Sequence, residues 1–217
     1  MKYLLCLIYI LFINACTSTT IEVVSIPSIK PWDLVKDEHV YKYDESLESY
    51  IELGSVDLSL ILSNYETKYR GSSILGIEMN HLPDSVFDSD EIKLSLGVTP
   101  KKNVDISTRN ITLVVNIDGV ESYIKPYKVF RYSPSVFCGF DRYALTGNSY
   151  NSVEVNNDKD ELLVGSGYKD NCYNLFFKFT RTMLNADFAV EFKGSLLPLE
   201  YERIYFHKKI IMWRTSN

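Results

Sequence analysis

The sequence is poor in the residues from which catalytic and metal-binding sites are most often built. Its 217 residues include three histidines and four cysteines, and no two histidines stand at a spacing typical of metal ligands. His-Glu-x-x-His, Gly-x-Ser-x-Gly, Cys-x-x-Cys and Walker A sequences are absent. These absences weaken the expectation of an enzyme without excluding one, because triads and carboxylate pairs are assembled in space rather than in sequence.

Positive charge is also scarce. The chain has 23 Lys and Arg against 28 Asp and Glu, a formal net charge of −5 at pH 7. Binding to nucleic acid needs a basic face that neutralises phosphates, so the composition argues against a nucleic-acid partner. It argues equally against attachment to anionic lipid by charge alone.

The apolar run at the N-terminus is too short to cross a bilayer. Met1 and Lys2 form a short basic start, and Tyr3 to Ile13 supplies about a dozen apolar residues where a spanning helix needs about 20. A small residue, Ala15, then stands before Cys16. A basic start, an apolar stretch and a small residue before the cut predict a secretory signal over residues 1–15.

The end of this segment, Ile13-Asn14-Ala15-Cys16, resembles the lipobox of bacterial lipoproteins. The resemblance implies cleavage before Cys16, a lipid on its sulfur, and an acyl chain such as palmitate on its new amino group. Thr17 follows the cysteine where an aspartate would favour retention at the inner membrane, so the expected location is the outer membrane. A plainly secreted protein or a signal anchor is the alternative.

Cysteine usage fits an oxidising compartment. Cys6 leaves with the signal and Cys16 takes lipid, so Cys138 and Cys172 remain. Two leftover thiols in the cell envelope are predicted to form a disulfide, which by loop entropy contributes about 3–4 kcal/mol. The alternative is a pair of free, buried cysteines.

The rest of the chain predicts a mainly β protein. Residues 16–40 are expected to form a tether and lead-in segment that includes a short strand or extended arm at Ile21–Ile26, with Trp32 packed onto the domain, and residues 41–217 a single domain. Short alternating segments separated by turn residues indicate an antiparallel β-sandwich, of which the immunoglobulin-like sandwich is one form, with one or two short helices.

Three local patterns carry this expectation. Asp44 to Leu53 predicts a short helix that Asp44 caps. Val56–Leu62 fits both a strand and a helical face, and the turn residues after it favour the strand. Asp118-Gly119 stands between the apolar runs Ile111–Ile117 and Val120–Tyr132, which predicts a hairpin because both turn residues tolerate positive φ.

Two acidic loops are candidates for Ca²⁺. The loop from Asp84 to Glu91 carries four carboxylates, and the loop from Asn156 to Glu161 begins like an EF-hand. The second loop has Glu161 where that motif needs glycine, and Gly167 where it needs glutamate. Solvated turns are the preferred interpretation, so neither a metal site nor a cofactor is predicted.

The function expected from these features is binding. With 16 Tyr and 11 Phe, the chain is rich in aromatic side chains that serve both β cores and half-wet interfaces. We expect a lipid-anchored envelope protein without catalytic residues, acting on a protein partner as an accessory subunit of an envelope assembly or as an immunity-type inhibitor. The alternatives are an envelope hydrolase whose site is assembled only in the fold, and a purely structural lipoprotein.

Overall fold

The computed structural model describes residues 16–32, 40–42, 50–64, 66–74, 77–81, 90–132, 152–155, 161–165, 171–180, 183 and 186–216. These residues are mainly β, with antiparallel sheets, as the sequence predicts. In chain order the strands are β1 (Cys16–Ser28), β2 (Val40–Lys42), β3 (Tyr50–Glu52), β4 (Val56–Leu62), β5 (Glu66–Ile74), β6 (Ile77–His81), β7 (Glu91–Pro100), β8 (Val104–Ile106), β9 (Thr112–Ile117), β10 (Val120–Ile124), β11 (Lys128–Tyr132), β12 (Ser152–Glu154), β13 (Glu161–Leu163), β14 (Asn171–Lys178), β15 (Asp187–Glu191), β16 (Leu196–Leu197) and β17 (Arg203–Ser216).

The strands form three sheets. Sheet A has the order β10-β9-β15-β17-β1-β5-β6. A further strand of this sheet, β2, lies outside that order and pairs with β17 in parallel. Sheet B has the order β12-β11-β14-β7-β4-β3, and sheet C the order β13-β8-β16. Strands of all three sheets contribute to one buried apolar cluster, so the architecture is sandwich-like.

The alternation of β4 shows why this core forms. Val56, Leu58, Leu60 and Leu62 are buried members of the apolar cluster, and β4 pairs along its length with β7. A period of two places one side of a strand against the core, and the turn residues after Leu62 leave no room for a helix. The strand predicted at Val56–Leu62 is therefore confirmed.

The predicted hairpin is confirmed as well. β9 and β10 pair in antiparallel register around Asp118 and Gly119, whose φ values are 52° and 85°. The return run differs from the prediction, because it is not one continuous strand from Val120 to Tyr132. It leaves sheet A after Ile124, passes Pro126, and enters sheet B as β11, since proline lacks the N–H that a ladder needs.

The N-terminal segment also differs from the prediction. The short strand or arm expected at Ile21–Ile26 is part of a longer strand, because β1 runs from Cys16 to Ser28 as an inner strand of sheet A between β17 and β5, where a tether was expected. Residues 33–39 of the predicted lead-in segment lie outside the described residues. Its pairing with β17 is unbroken from Thr17 opposite Ser216 to Ser28 opposite Tyr205. Threonine is a good strand former, and the ladder partner comes from the other end of the chain.

The sandwich is the part of sheets A and B, with sheet C, that encloses the apolar cluster. The terminal ribbon is residues 16–25 of β1 paired with residues 208–216 of β17. β15 pairs with Arg203–Phe206 at the start of β17, so the sandwich and the ribbon meet near Phe206 and Pro27.

The predicted helix from Asp44 to Leu53 is wrong at its end, where Tyr50–Glu52 pairs with β4 as a strand. Its earlier residues, 44–49, lie outside the described residues. A 3-10 turn at Thr108–Asn110 is one short helical segment that the structure describes. Trp32 packs onto the domain as expected, donating from Nε1 to the Phe188 carbonyl at 3.1 Å and meeting the Tyr205 ring edge-on.

Candidate functional site

The edge strand β10 is the most exposed apolar strand of sheet A for which side chains are described. Val120 is 69% exposed and Tyr123 is 55% exposed, while β9 on its inner side is largely buried. β10 pairs with β9 alone among the described strands. It therefore presents one free edge together with apolar side chains, the combination from which sheet extension proceeds.

The hairpin turn determines which backbone groups of β10 face outward. In a two-residue hairpin the flanking residues, Ile117 and Val120, form a hydrogen-bonded pair. The next residues of an antiparallel ladder alternate, so Glu121 and Tyr123 direct their N–H and C=O groups away from β9. A partner strand would find these two donors and two acceptors in line.

Arg203 holds the side chains of this edge in place. From the start of β17 its Nη1 lies 2.8 Å from Glu121 Oε1, and its Nη2 donates to the Tyr123 hydroxyl at 3.3 Å. Nη2 also lies 3.1 Å from Glu191 Oε1 on β15, the residue paired with Arg203 in the sheet. The Tyr123 hydroxyl in turn donates to Glu121 Oε2 at 2.5 Å. One guanidinium thus ties β10 to two inner strands.

The protonation states in this cluster follow from these contacts. The hydrogen bond from the Tyr123 hydroxyl is the largest effect on the pKa of Glu121 and lowers it; burial opposes this, and Arg203 lowers the pKa further. Burial lowers the pKa of Arg203, but hydrogen bonds to Glu121, Glu191 and Tyr123 outweigh it and leave the pKa raised. The group is therefore an arginine neutralised by two carboxylates, rather than a pair of free carboxylates available for acid-base chemistry.

A second polar cluster closes one end of the sandwich. Arg131 of β11 forms an ion pair with Glu161 of β13 and donates to Asn171 Oδ1 at 3.0 Å. The Tyr173 hydroxyl, on a fully buried side chain, donates to Glu161 Oε2 at 3.2 Å. Burial and the charge of Glu161 raise the pKa of Tyr173, which keeps the phenol neutral. Every member is engaged by another, so this cluster joins sheets B and C.

The same cluster bears on one of the calcium loops. Glu161, the last acidic residue of that loop, is engaged by Arg131 and Tyr173 instead of facing a cation. Residues 156–160 and residues 84–89 of the other loop lie outside the described residues. Among those described, no three His, Cys, Asp or Glu side chains gather where they could hold a metal ion.

The predicted cysteine sites fall in contrasting places. Cys16 is the first residue of β1. Cys172 is fully buried in β14, paired with Tyr132 of β11 on one side and Gly97 of β7 on the other. Cys138 lies outside the described residues, six positions after Tyr132. The chain therefore leaves β11 beside Cys172, a short span from Cys138, and the disulfide stays a prediction.

The two described histidines lie in different strands of sheet A, His207 in β17 and His81 in β6. His207 is buried, with Nε2 2.8 Å from the Lys30 carbonyl, where it joins the segment after β1 to β17. His81 ends β6, and His39 lies outside the described residues.

The Arg203 cluster was missed in the sequence. Glu121 and Tyr123 are two apart in a predicted strand and so share a face, which the alternation could have shown. Arg203 and Glu191 join them through pairings between strands distant in sequence, and no local pattern indicates those.

No protein-family model, no curated protein and no solved structure matches the chain. In the part of the chain that the structure describes, no helix is long and apolar enough to span a bilayer.

Proposed function

We propose that this chain is a lipid-anchored protein of the cell envelope that acts by binding another protein along the edge strand β10. The lipobox at Ile13-Asn14-Ala15-Cys16 supports the anchor and an outer-membrane location. The free edge at Glu121 and Tyr123, beside exposed Val120, carries the binding proposal. The partner is an extended segment of an envelope protein that adds to sheet A as a further strand.

Pre-organisation supports this mode of binding. Arg203 fixes Glu121 and Tyr123 before any partner arrives, so little side-chain entropy remains to be lost there. The 55% exposed Tyr123 ring offers the rigid aromatic contact that interfaces favour. Main-chain hydrogen bonds would provide affinity, and the charges of Glu121 and Arg203 would select the partner.

Two valines allow a matched test of this edge. Val120 on β10 and Val153 on β12 are both 69% exposed, and each lies on the edge strand of its sheet. A lysine on an edge strand opposes the addition of another strand. Val120→Lys should therefore abolish capture of the partner from detergent-solubilised envelopes, whereas Val153→Lys should leave it intact.

A photocrosslinker at Tyr123, compared with one at Val153, identifies the partner segment. Crosslinks from Tyr123 should converge on one short peptide of one protein. Equal loss of capture in both lysine variants, or crosslinks scattered over many proteins, would contradict the proposal.

The anchor has its own test. Cys16→Ser should leave a precursor of unchanged length that incorporates no radiolabelled palmitate. The lipobox resemblance implies that the cysteine takes up lipid before the signal is cleaved, so its loss should block both steps. A Cys16→Ser chain that matures to the same mass as the unmodified protein would contradict the lipid anchor.

A further inference from the structure

The end of sheet A that begins at Cys16 has a graded composition from its tip inward. The outermost row is apolar, the next two rows are rich in hydroxyl groups, and arginine and tryptophan follow. From the tip inward the rows are Ile77–Ile74–Cys16; Glu78–Ser73–Thr17–Ser216; Met79–Ser72–Ser18–Thr215; Asn80–Gly71–Thr19–Arg214; and His81–Arg70–Thr20–Trp213.

This is the order of layers that a bilayer presents from its hydrocarbon core outward to water. The hydrocarbon core is followed by a polar headgroup layer about 5–8 Å thick on each side. Five rows span about 13 Å at the rise of a strand, enough to cross that layer. Tryptophan and cationic side chains are enriched where the layer meets water. With the apolar tip row one strand rise inside the hydrocarbon, Arg214 and Trp213 come about 7–10 Å above its border, close to that level.

The lipid-bearing residue has no linker. Cys16 is itself paired with Ile74, and Thr17 is paired on both sides, with Ser216 and with Ser73. Acyl chains on Cys16 would therefore hold this end of the sheet at the membrane directly. A flexible tether would leave its orientation free, but a paired strand does not.

We propose that this end of sheet A is seated in the headgroup layer of a phospholipid bilayer, so that the terminal ribbon stands as a spacer under the sandwich. The proposal rests on the lipid anchor at Cys16 proposed above. Eleven steps along β1 separate Cys16 from Pro27, where the sandwich begins, which corresponds to about 35 Å. Ser216, the last residue of β17 and the partner of Thr17, then also lies at the membrane.

The same geometry limits which partner β10 can take. Following the antiparallel pairings across sheet A, β10 runs in the same direction as β1, away from the anchored end. A second copy added antiparallel to β10 would point its own Cys16 away from the membrane. Two copies anchored in one leaflet therefore cannot pair this way, and an antiparallel partner of β10 is a different chain running toward the membrane.

The chain's two tryptophans permit a direct test. Trp213 is in the fifth row from the tip, whereas Trp32 contacts Tyr205, which pairs with Ser28 at the opposite end of β1. The mature protein, purified from envelopes, is reconstituted in phosphatidylcholine vesicles that carry a nitroxide on the headgroup. Trp32→Phe leaves Trp213 as the reporter, and Trp213→Phe leaves Trp32.

The nitroxide should quench most of the Trp213 emission and leave Trp32 emission unchanged. Quenching of both tryptophans would mean that the domain lies flat, and quenching of neither would mean that the ribbon stands clear of the lipid, and either result overturns the seating. Mass spectrometry of the N-terminal peptide separates the two proposals. An acylated Cys16 with unquenched Trp213 refutes the seating alone, whereas an unmodified Cys16 refutes the anchor and with it the seating.

Discussion

The sandwich and the terminal ribbon are built from the same secondary structure but are stabilised by different interactions. In the sandwich, β4 and β7 bury Leu58, Leu60, Leu94 and Leu96 completely. In the ribbon, Val24 is the one buried side chain among those described, and its neighbours in β1, such as Thr19 and Thr20, are partly exposed. The sandwich depends on apolar burial, whereas the ribbon depends on its ladder of backbone hydrogen bonds and on β5 beside it.

Because of this difference, the sandwich and the ribbon should contribute unequally to the stability of the fold. Buried apolar area gives cooperative stability, and a partner can be bound at the edge of the sandwich without disturbing it. A ladder with few buried side chains contributes little net stability per residue, because a typical hydrogen bond adds only about 0.5–1.5 kcal/mol. The ribbon should therefore contribute less to the stability of the fold than the sandwich does, and in the proposed seating it sets the distance between the sandwich and the bilayer.

Truncating one side chain in each region tests directly whether the sandwich and the ribbon contribute differently to stability. Leu60→Ala should lower the free energy of unfolding by about 2–5 kcal/mol, since Leu60 is fully buried in the core. Thr19→Ala in the ribbon should change it by less than about 0.5 kcal/mol. Urea denaturation of the mature protein measures both, and similar losses would show that the two regions do not differ.

The predicted disulfide would increase the difference between the two regions, because it would add a covalent constraint to the sandwich alone. Reduction, or Cys172→Ser, should lower the free energy of unfolding by about 3–4 kcal/mol if Cys172 is joined to Cys138. Peptide mapping without reductant should recover the crosslinked pair. Two thiols that alkylate in the native protein would contradict the pairing.

The hairpin tests how strongly the edge of the sandwich depends on its turn. Gly119 has φ of 85° with open space where a side chain would begin, so Gly119→Val meets backbone strain rather than a clash. We expect a loss of about 1–2 kcal/mol in thermal or urea unfolding. Gly119→Asn is the control, because asparagine tolerates this conformation. Equal losses in the two variants would point to a cause other than the left-handed backbone.

The smallest expected effect concerns pH. Because Tyr123 and Arg203 lower the pKa of Glu121, its stabilising contribution is present above the ordinary carboxyl pKa and is lost as pH falls through the lowered value. The partly exposed ion pair should contribute about 0.2–1 kcal/mol. Unfolding measured from about pH 6 down to about pH 2 should show a smaller loss in Glu121→Gln than in the unmodified chain. Parallel curves would mean that the contacts do not stabilise the fold.

Features governed by neighbouring residues could be predicted from the sequence. The alternation in Val56–Leu62 and the turn at Asp118-Gly119 each lie within a few residues, and both are present as expected. Pro126 interrupts the run after this turn, and the sheet that the chain joins beyond it depends on strands distant in sequence. Local chemistry fixes a strand, but it does not choose the strand's partner.

The ribbon and the Arg203 cluster could not be predicted for the same reason. Thr17 to Thr20 has no apolar alternation, so its pairing with the C-terminal residues leaves no trace in the segment itself. Arg203 reaches Glu121 through strands that come together only in the folded sheet. Both arrangements depend on long-range pairing, which a single sequence does not encode as a local pattern.

The separation of β1 and β17 in the sequence also has a consequence for folding. β1 is the first strand described and β17 the last, so sheet A cannot be completed until the end of the chain has emerged. Pairing between such distant segments closes a long loop, so we expect it to form late in folding. A chain that stops short of Arg203 would leave β1 with β5 on one side and an open edge on the other, so incomplete products should aggregate or be degraded rather than accumulate as folded fragments.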